Sequence, residues 1–436
     1  MASVILGDWT HRRGDRGGAR AVEAEIDKPR PTIAWTWQPE HRGRVDQVRI
    51  AGGCVLVATM APRDSDAPGW EHAVLYALDA ESGLELARRV LPDPVPVAAM
   101  VVEAGLVNVV ATRKGEPIYW YSLSTPELVA SHRRIIVAGS PVRPDDVLDA
   151  WATPDGGLWL ELDVAVGPEG LRARTYSFAN AGGDPIVVRV DEHAATEGPP
   201  IVQDACACGQ SLYVPVDGRW GGAAEATPSA LSRLDASSVD EIGGVWACAS
   251  VVGPRARIHA LCREDVIYGA TAAEDPAKPD RLRIEAFAVD RASGNVHWRA
   301  QDERVALTDG LGDTARTARR PNGELLFQRL GPDGVPCTPL ICARPDGRLD
   351  TVLIGARGPY VLDAALGPIV LAHRENKDGR VEVGGFAIDR EGRLLGRRAI
   401  VGFAIDAGDL GQGVTVYAGA GVIVARGSRS VCAIRL

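Results

Sequence analysis

A chain of 436 residues is about three times the length of an ordinary single domain, so it must either divide or repeat. Its formal charge is −9 and its arginines are scattered among acidic residues, which excludes the basic stripe of a nucleic-acid binder, and no run of eighteen apolar residues offers a membrane span. Met (3) and Phe (5) are scarce while Gly (49) and Pro (29) run the whole length, and short β-rich runs bounded by Gly, Pro, Asp or Asn stand where long amphipathic helices would be needed for a helical fold.

The first nine residues lack a basic segment followed by an apolar core, and hold no cysteine for lipid attachment. They suit a cytoplasmic chain, or a periplasmic or extracellular one if the sequence is a mature form. Residues 1–31 read as an Arg/Gly-rich surface lead-in and residues 32–37 as the first strand. A unit then begins that recurs to the end of the chain. It has a tight turn at Ala51-Gly52-Gly53, a strand at 55–58, a long connection over 61–70, a strand ending at Asp79, and a second tight turn into a fourth strand.

The second hairpin of this unit is openly repeated at 75–86, 284–298 and 385–395. Alternating apolar residues make its first strand, an Asp side chain caps the turn, and Gly takes the left-handed position. Weaker copies end their first strand at Ser124, Ala179, Asp235 and Arg344, so the anchors fall at 79, 124, 179, 235, 290, 344 and 389, spaced 45 to 56 residues apart. That period accommodates four strands and their connections. An eighth anchor falls near 436, where residues 431–436 match the third strand and no fourth follows. Residues 32–37 resemble the fourth strand at 295–299. The expected fold is therefore all-β: a single β-propeller over 32–436 with eight four-stranded antiparallel blades, seven being the alternative count. The N-terminal strand would close it by pairing with the C-terminal blade, which removes the open sheet edges of a linear array.

Ala288, Asp290, Ser293, Gly294 and Trp298 follow the consensus Ala-x-Asp-x-x-Thr-Gly-x-x-x-Trp, with Ser in place of Thr. In this the chain resembles the PQQ-like (quinoprotein-type) propeller family, and residues 8–15 resemble the opening of many of its members. The resemblance implies a propeller whose repeat Trp packs between neighbouring blades. Other copies lose that Trp, with Ala87 in blade one and Arg397 in the region of blade seven, which implies looser packing there. The family's enzymes stack PQQ on a Trp beneath a disulfide of adjacent cysteines, with a calcium or lanthanide ion and an Asp base. Adjacent cysteines occur nowhere in this chain, so the likeness is to the non-catalytic branch and neither PQQ nor another cofactor is expected.

No catalytic or metal-binding constellation emerges from the residues themselves. The eight His are far apart without HxH or HExxH spacing, and neither a GxSxG elbow nor a phosphate-binding loop is present. Residues 79–83 and 290–294 lack the ligand count of a calcium loop, and 408–413 precede a strand, as a connection between blades would. Cys206-Ala207-Cys208 places two thiols on one face of a strand, where packing is favoured over a metal or a disulfide.

What does stand out is asymmetry between faces. Long connections at 61–70, 216–222, 272–280 and 301–313 open on one face of the propeller, whereas the other has tight turns. Loops held on a rigid scaffold carry binding, and Trp and Arg dominate protein hot spots. Arg63, Trp70, Arg219 and Trp220 are accordingly the candidate partner-binding residues. The expected function is a non-catalytic protein-interaction or scaffold module with a protein partner, and without nucleic acid or membrane. The alternative is an enzyme or small-molecule binder, lactonase-like or quinoprotein-like, with its site at the mouth of the central channel.

Overall fold

The computed structural model describes residues 21–22, 32–40, 43–60, 72–113, 116–136, 142–166, 171–180, 186–194, 205–216, 230–235, 243–249, 259–263, 265–275, 278–305, 314–320, 322–330, 336, 339–352, 360–366, 369–376, 380–387, 401–406, 410, 414–419 and 421–435. They form eight antiparallel sheets in chain order. Blade one spans 44–90, two 97–136, three 147–194, four 206–249, five 259–305, six 314–352 and seven 361–406. Blade eight takes three strands from 415–435 and its fourth from Thr32–Trp37. The protein is an eight-bladed β-propeller, with a single 3₁₀ turn at Pro144–Asp146 among the described residues.

Closure occurs as the repeat requires. Thr32–Trp37 runs antiparallel to Val431–Arg435, with Thr32 opposite Arg435 and Trp37 opposite Val431. Within the expected lead-in, Ala21–Val22 pair in parallel with Ala365 and Leu366 on the innermost strand of blade seven, making that sheet five-stranded.

The hydrophobic core is divided among the joints between blades rather than gathered at a centre. Leu56, Leu75, Val102, Val109 and Tyr121 join blades one and two. Trp151, Trp159 and Phe178 meet Leu212 and Leu234 between three and four. Tyr268 and Phe327 lie between five and six. One continuous cluster runs from Leu371 and Val383 in blade seven through Val424 and Ile434 in blade eight to Trp35, Val57 and Leu78 against blade one.

Local chemistry explains the tight-turn face. Asp79 Oδ1 accepts bonds from the Ser82 amide (2.7 Å) and hydroxyl (2.6 Å), and Asp290 holds Ser293 in the same way at 2.7 Å for each. Gly83 and Gly294 follow at φ +72° and +73°, conformations that L side chains rarely adopt. These Ser82 bonds hold the Asp79 carboxyl below the ordinary range. The residue after each of these two aspartates ties the two turns of its blade together: the Ala80 amide donates to the Gly53 carbonyl at 2.9 Å and the Arg291 amide to the Asp265 carbonyl at 2.8 Å.

One strand expectation needs correction. Residues 272–280 and 301–304 were expected as irregular connections, yet the second strand of blade five runs Val266–Asp275, the third Lys278–Asp290 and the fourth Val296–Val305. The Pro and Asp content reads locally as loop, but the third strand finds partners on both sides, and its ladder with the second continues to Asp275 opposite Lys278. In blade seven the described fourth strand is Val401–Asp406, with Val401 opposite Gly385, and the expected position near 394–397 is not among the described residues. Residues 388–400 between them lie outside the described residues, as do the lead-in at 8–15 and all but Leu410 of the connection at 408–413.

Trp35 supplies the inter-blade tryptophan in the closing strand. Its indole Nε1 donates to the Ala80 carbonyl at 3.0 Å, and a Cβ placed on Gly83 would lie 2.6 Å from the ring. Trp35→Ala should cost about 3–5 kcal/mol in urea denaturation, the range for emptying a large aromatic site. Gly83→Ala should also destabilise, but much less in the Trp35→Ala background, where the clash is gone and only backbone strain remains. Additive losses in this double-mutant cycle would refute the docking.

Candidate functional site

The four sequence-selected residues lie in connections outside the described residues: Arg63 and Trp70 within 61–71, Arg219 and Trp220 within 217–229. These segments link the second and third strands of blades one and four, so their flanking strand ends, Met60 and Val74, Val216 and Ala230, belong to the face opposite the tight turns. Other parts of that face are among the described residues, and they differ from the tight-turn face in two ways.

First, its sheets are prolonged. The last three strands of blade three have nine residues each, and those of blade five have 10, 13 and 10. The corresponding third strand of blade one, Val74–Asp79, has 6. Measured from the shared anchor at 79 and 290, blade five therefore carries roughly 20 Å of additional strand on the elaborated face at about 3.3 Å per residue.

Second, its rim is set with arginine–carboxylate pairs that the sheets hold in register. In blade three, Arg172 contacts Asp163 and Asp146 at 2.6 Å each, and Asp146 caps the 3₁₀ turn by accepting the Arg143 amide at 2.7 Å. Beneath lies a buried set in which Tyr176 donates to Glu161 at 2.9 Å and Arg174, 1% exposed, stands 4.0 Å from the same carboxylate. Between blades one and two, Arg133 grips Asp93 at 2.6 and 2.8 Å, Tyr121 donates to the same carboxylate, and the guanidinium lies 5.1 Å from the Tyr119 ring centroid. Burial works against the Asp93 carboxylate, yet Arg133 and Tyr121 hold it below the ordinary range. Burial and the same bond push the Tyr121 hydroxyl up.

Blade seven has the densest group. Arg374 sits directly opposite Glu382 in the ladder and reaches it at 2.8 and 2.5 Å. Asn376 donates to the same carboxylate at 2.7 Å and Tyr360 at 3.1 Å. Arg374 also lies 4.9 Å over the Tyr360 ring. The Asn376 bond, with Arg374 and Tyr360, outweighs burial and lowers the Glu382 carboxyl.

Near this group, at the channel mouth, a bulge between Leu362 and Ala364 inserts Asp363 into the innermost strand. Bulges recur at the matching end of the innermost strands of blades one, two and three. Asp363 is fully buried, and both its oxygens face His373 Nδ1, at 2.8 and 2.9 Å. A carboxylate on Nδ1 fixes the imidazole's orientation and leaves Nε2 as the outward nitrogen, which is a way to prepare a base or to anchor a ligand. Among the described residues, no group of three or more His, Cys, Asp or Glu is arranged to hold a metal ion. No helix of the described residues is long and apolar enough to cross a membrane.

Sequence reasoning missed this rim. It saw arginines interspersed with acids, and the pairing becomes visible only when strand register brings Arg374 opposite Glu382 or folds Arg172 across to Asp146.

No protein-family model matches the chain, and no curated protein matches it in sequence. Solved structures do. Quinohemoprotein alcohol dehydrogenase from Comamonas testosteroni aligns over 98% of this chain and 80% of its own, at 11% identity and a TM-score of 0.51. BamB from Moraxella catarrhalis aligns over 94% of this chain and 98% of its own, at 12% identity and a TM-score of 0.45. At such identities the likeness is one of fold alone and leaves the activity open.

The blade-seven group makes a pH prediction. A carboxyl lowered on folding stabilises the native state above its unfolded titration range and loses that contribution as the pH falls through its folded range. Glu382→Gln should therefore flatten the acid limb of thermal midpoint against pH below about pH 4. Parallel curves for the variant and the parent would contradict the assignment.

Proposed function

We propose that this protein is a non-catalytic interaction module that presents its elaborated face to a protein partner. The observation that carries this reading is the prolongation of blades three and five on the same face as the long connections, which raises rigid β-ribbons beside them. A strand-held projection binds with less loss of conformational freedom than a loop of equal length. The cation-π and ion-paired arginines of the rim offer planar, oriented donors around it. Arg63, Trp70, Arg219 and Trp220 belong to connections that rise from this face, and they are assigned here to the contact surface. The partner is a protein, and neither nucleic acid nor membrane.

The alternative, an enzyme or small-molecule binder at the channel mouth, draws on one observation, the Asp363–His373 pair. It requires that a ligand or turnover respond to His373→Gln.

Replacing residues 274–282 with Asn-Gly would rejoin Ala273 and Arg283, which are cross-strand partners, through a two-residue turn. The shortened protein should keep its melting temperature and lose its partner in quantitative affinity-purification mass spectrometry. Undiminished recovery of the same partner would overturn the reading. Trp70→Ala and Trp220→Ala should each weaken binding by about 30-fold, a hot-spot loss of about 2 kcal/mol, in titration calorimetry with the identified partner.

A further inference from the structure

Three thiols meet at the joint between blades four and five, on the tight-turn side of the ring. Cys206 and Cys208 lie on the innermost strand of blade four, and Cys262 on the innermost strand of blade five. Cys206 and Cys262 are buried, whereas Cys208 is partly open to solvent. The Cys262 thiol hydrogen-bonds Cys208. Arg291, in the tight turn of blade five, brings Nη1 to 2.9 Å from the Cys208 sulfur.

Arg291 itself is held at three points, one of them on the guanidinium. Its Nη2 meets Asp265 at 2.9 Å, its backbone amide donates to the Asp265 carbonyl at 2.8 Å, and its carbonyl accepts the Tyr213 hydroxyl at 3.2 Å. A purely packed cysteine, a small hydrophobe in a joint, needs no fixed cation on its sulfur.

We propose that Cys208 and Cys262 are an oxidant-sensing thiol pair whose disulfide covalently joins blade four to blade five. A guanidinium donating to sulfur favours the thiolate, the nucleophilic form, and partial exposure admits a small oxidant. Cys262 complements it: the bond to Cys208 and burial push its thiol up, so it keeps its proton until called on. The oxidant class is a hydroperoxide. The Cys208 thiolate attacks its distal oxygen, an S–O bond forms as the O–O bond breaks, and the departing oxide takes a proton from water. Cys262 then attacks the sulfenic sulfur; the S–S bond forms, the S–O bond breaks, and its proton leaves with the hydroxyl as water. Two electrons pass from the thiol pair to the peroxide. The site lies on the opposite face from the proposed partner surface and is independent of that reading.

The test uses the full chain, treated with hydrogen peroxide, quenched with N-ethylmaleimide and digested with trypsin without reduction. The expected product joins peptide 190–219 to peptide 258–263, and both sequences are set by flanking arginines. Because 190–219 contains Cys206 as well as Cys208, the link should persist in Cys206→Ser and vanish in Cys208→Ser. Dimedone should trap Cys208 as a sulfenic acid in Cys262→Ser. In Arg291→Gln its formation should slow by about tenfold near neutral pH. Absence of the 208–262 link from the unmodified chain overturns the proposal whatever the variants do. So does a link through Cys206, or an unchanged rate in a folded Arg291→Gln protein.

Discussion

Five residues at one end of the chain, Val431–Arg435, hydrogen-bond to six near the other, Thr32–Trp37, and the geometry of every blade depends on that pairing. Each sheet buries its apolar faces only against its neighbours, so an unclosed array would leave two faces bare. The cluster that runs through blades seven, eight and one contains Trp35 itself. Blade eight is also bound to blade one by polar links: the Val45 amide donates to the Ser428 carbonyl at 2.9 Å, and Arg426 to the Val45 carbonyl at 3.1 Å. The sequence distance is a minor obstacle, since doubling a loop adds only about 0.6 kcal/mol to its closure entropy. A closed ring fixes which strand ends share a face, and hence where any composite site is built.

The two faces then diverge for physical reasons. Tight turns stabilised by Asp, Ser and Gly leave little room for variation, so length accumulates at the other ends of the strands. There, long arginines and short acids stand on adjacent strands and pair across the ladder. Exposed pairs of this kind contribute about 0–1 kcal/mol each, so their main effect is to hold side chains in one orientation rather than to stabilise the fold. The buried Arg174–Glu161–Tyr176 set in blade three differs: loss of one member would strand a charge. An ordered rim around projecting ribbons is a surface prepared for recognition before any partner arrives.

How much of this was legible in the sequence follows from how local each feature is. The Asp79 and Asp290 turns were readable because cap, hydroxyl and glycine lie within five residues. The closing strand was readable because residues 32–37 resemble 295–299 and because one blade lacked a strand. The docking of Trp35 on Gly83 was not, since it joins residues 48 apart across a blade joint and the repeat copy in blade one shows only Ala87. Pro276, Pro279 and their acidic neighbours disguised a ribbon as a loop, because composition registers turn propensity and cannot register the partner strands that extend a ladder. For the site, the face was inferred from loop lengths alone. The residues chosen on it, Arg63, Trp70, Arg219 and Trp220, fall outside the described residues, and the ion pairs of the rim depend on register that no spacing reveals.

Apolar contact between sheets is non-directional and would tolerate a range of angles between blades. At three of the joints a directional contact is added by donors that cross between blades and end on the tight-turn face. Trp35 of blade eight donates to the Ala80 carbonyl of blade one at 3.0 Å, Trp159 of blade three to the Gln210 carbonyl of blade four at 3.2 Å, and Tyr213 of blade four to the Arg291 carbonyl of blade five at 3.2 Å. Ala80 and Arg291 occupy the same position of the repeat, one residue after the anchor, although their donors come from different strands and are different aromatics. An aromatic donor aimed at the neighbour's turn carbonyl is thus shared by these joints, and it is a Trp on the fourth strand in one and a Tyr on the second strand in another. These bonds sit at the tight-turn end of the blades they join, and blades three and five lengthen at the opposite end.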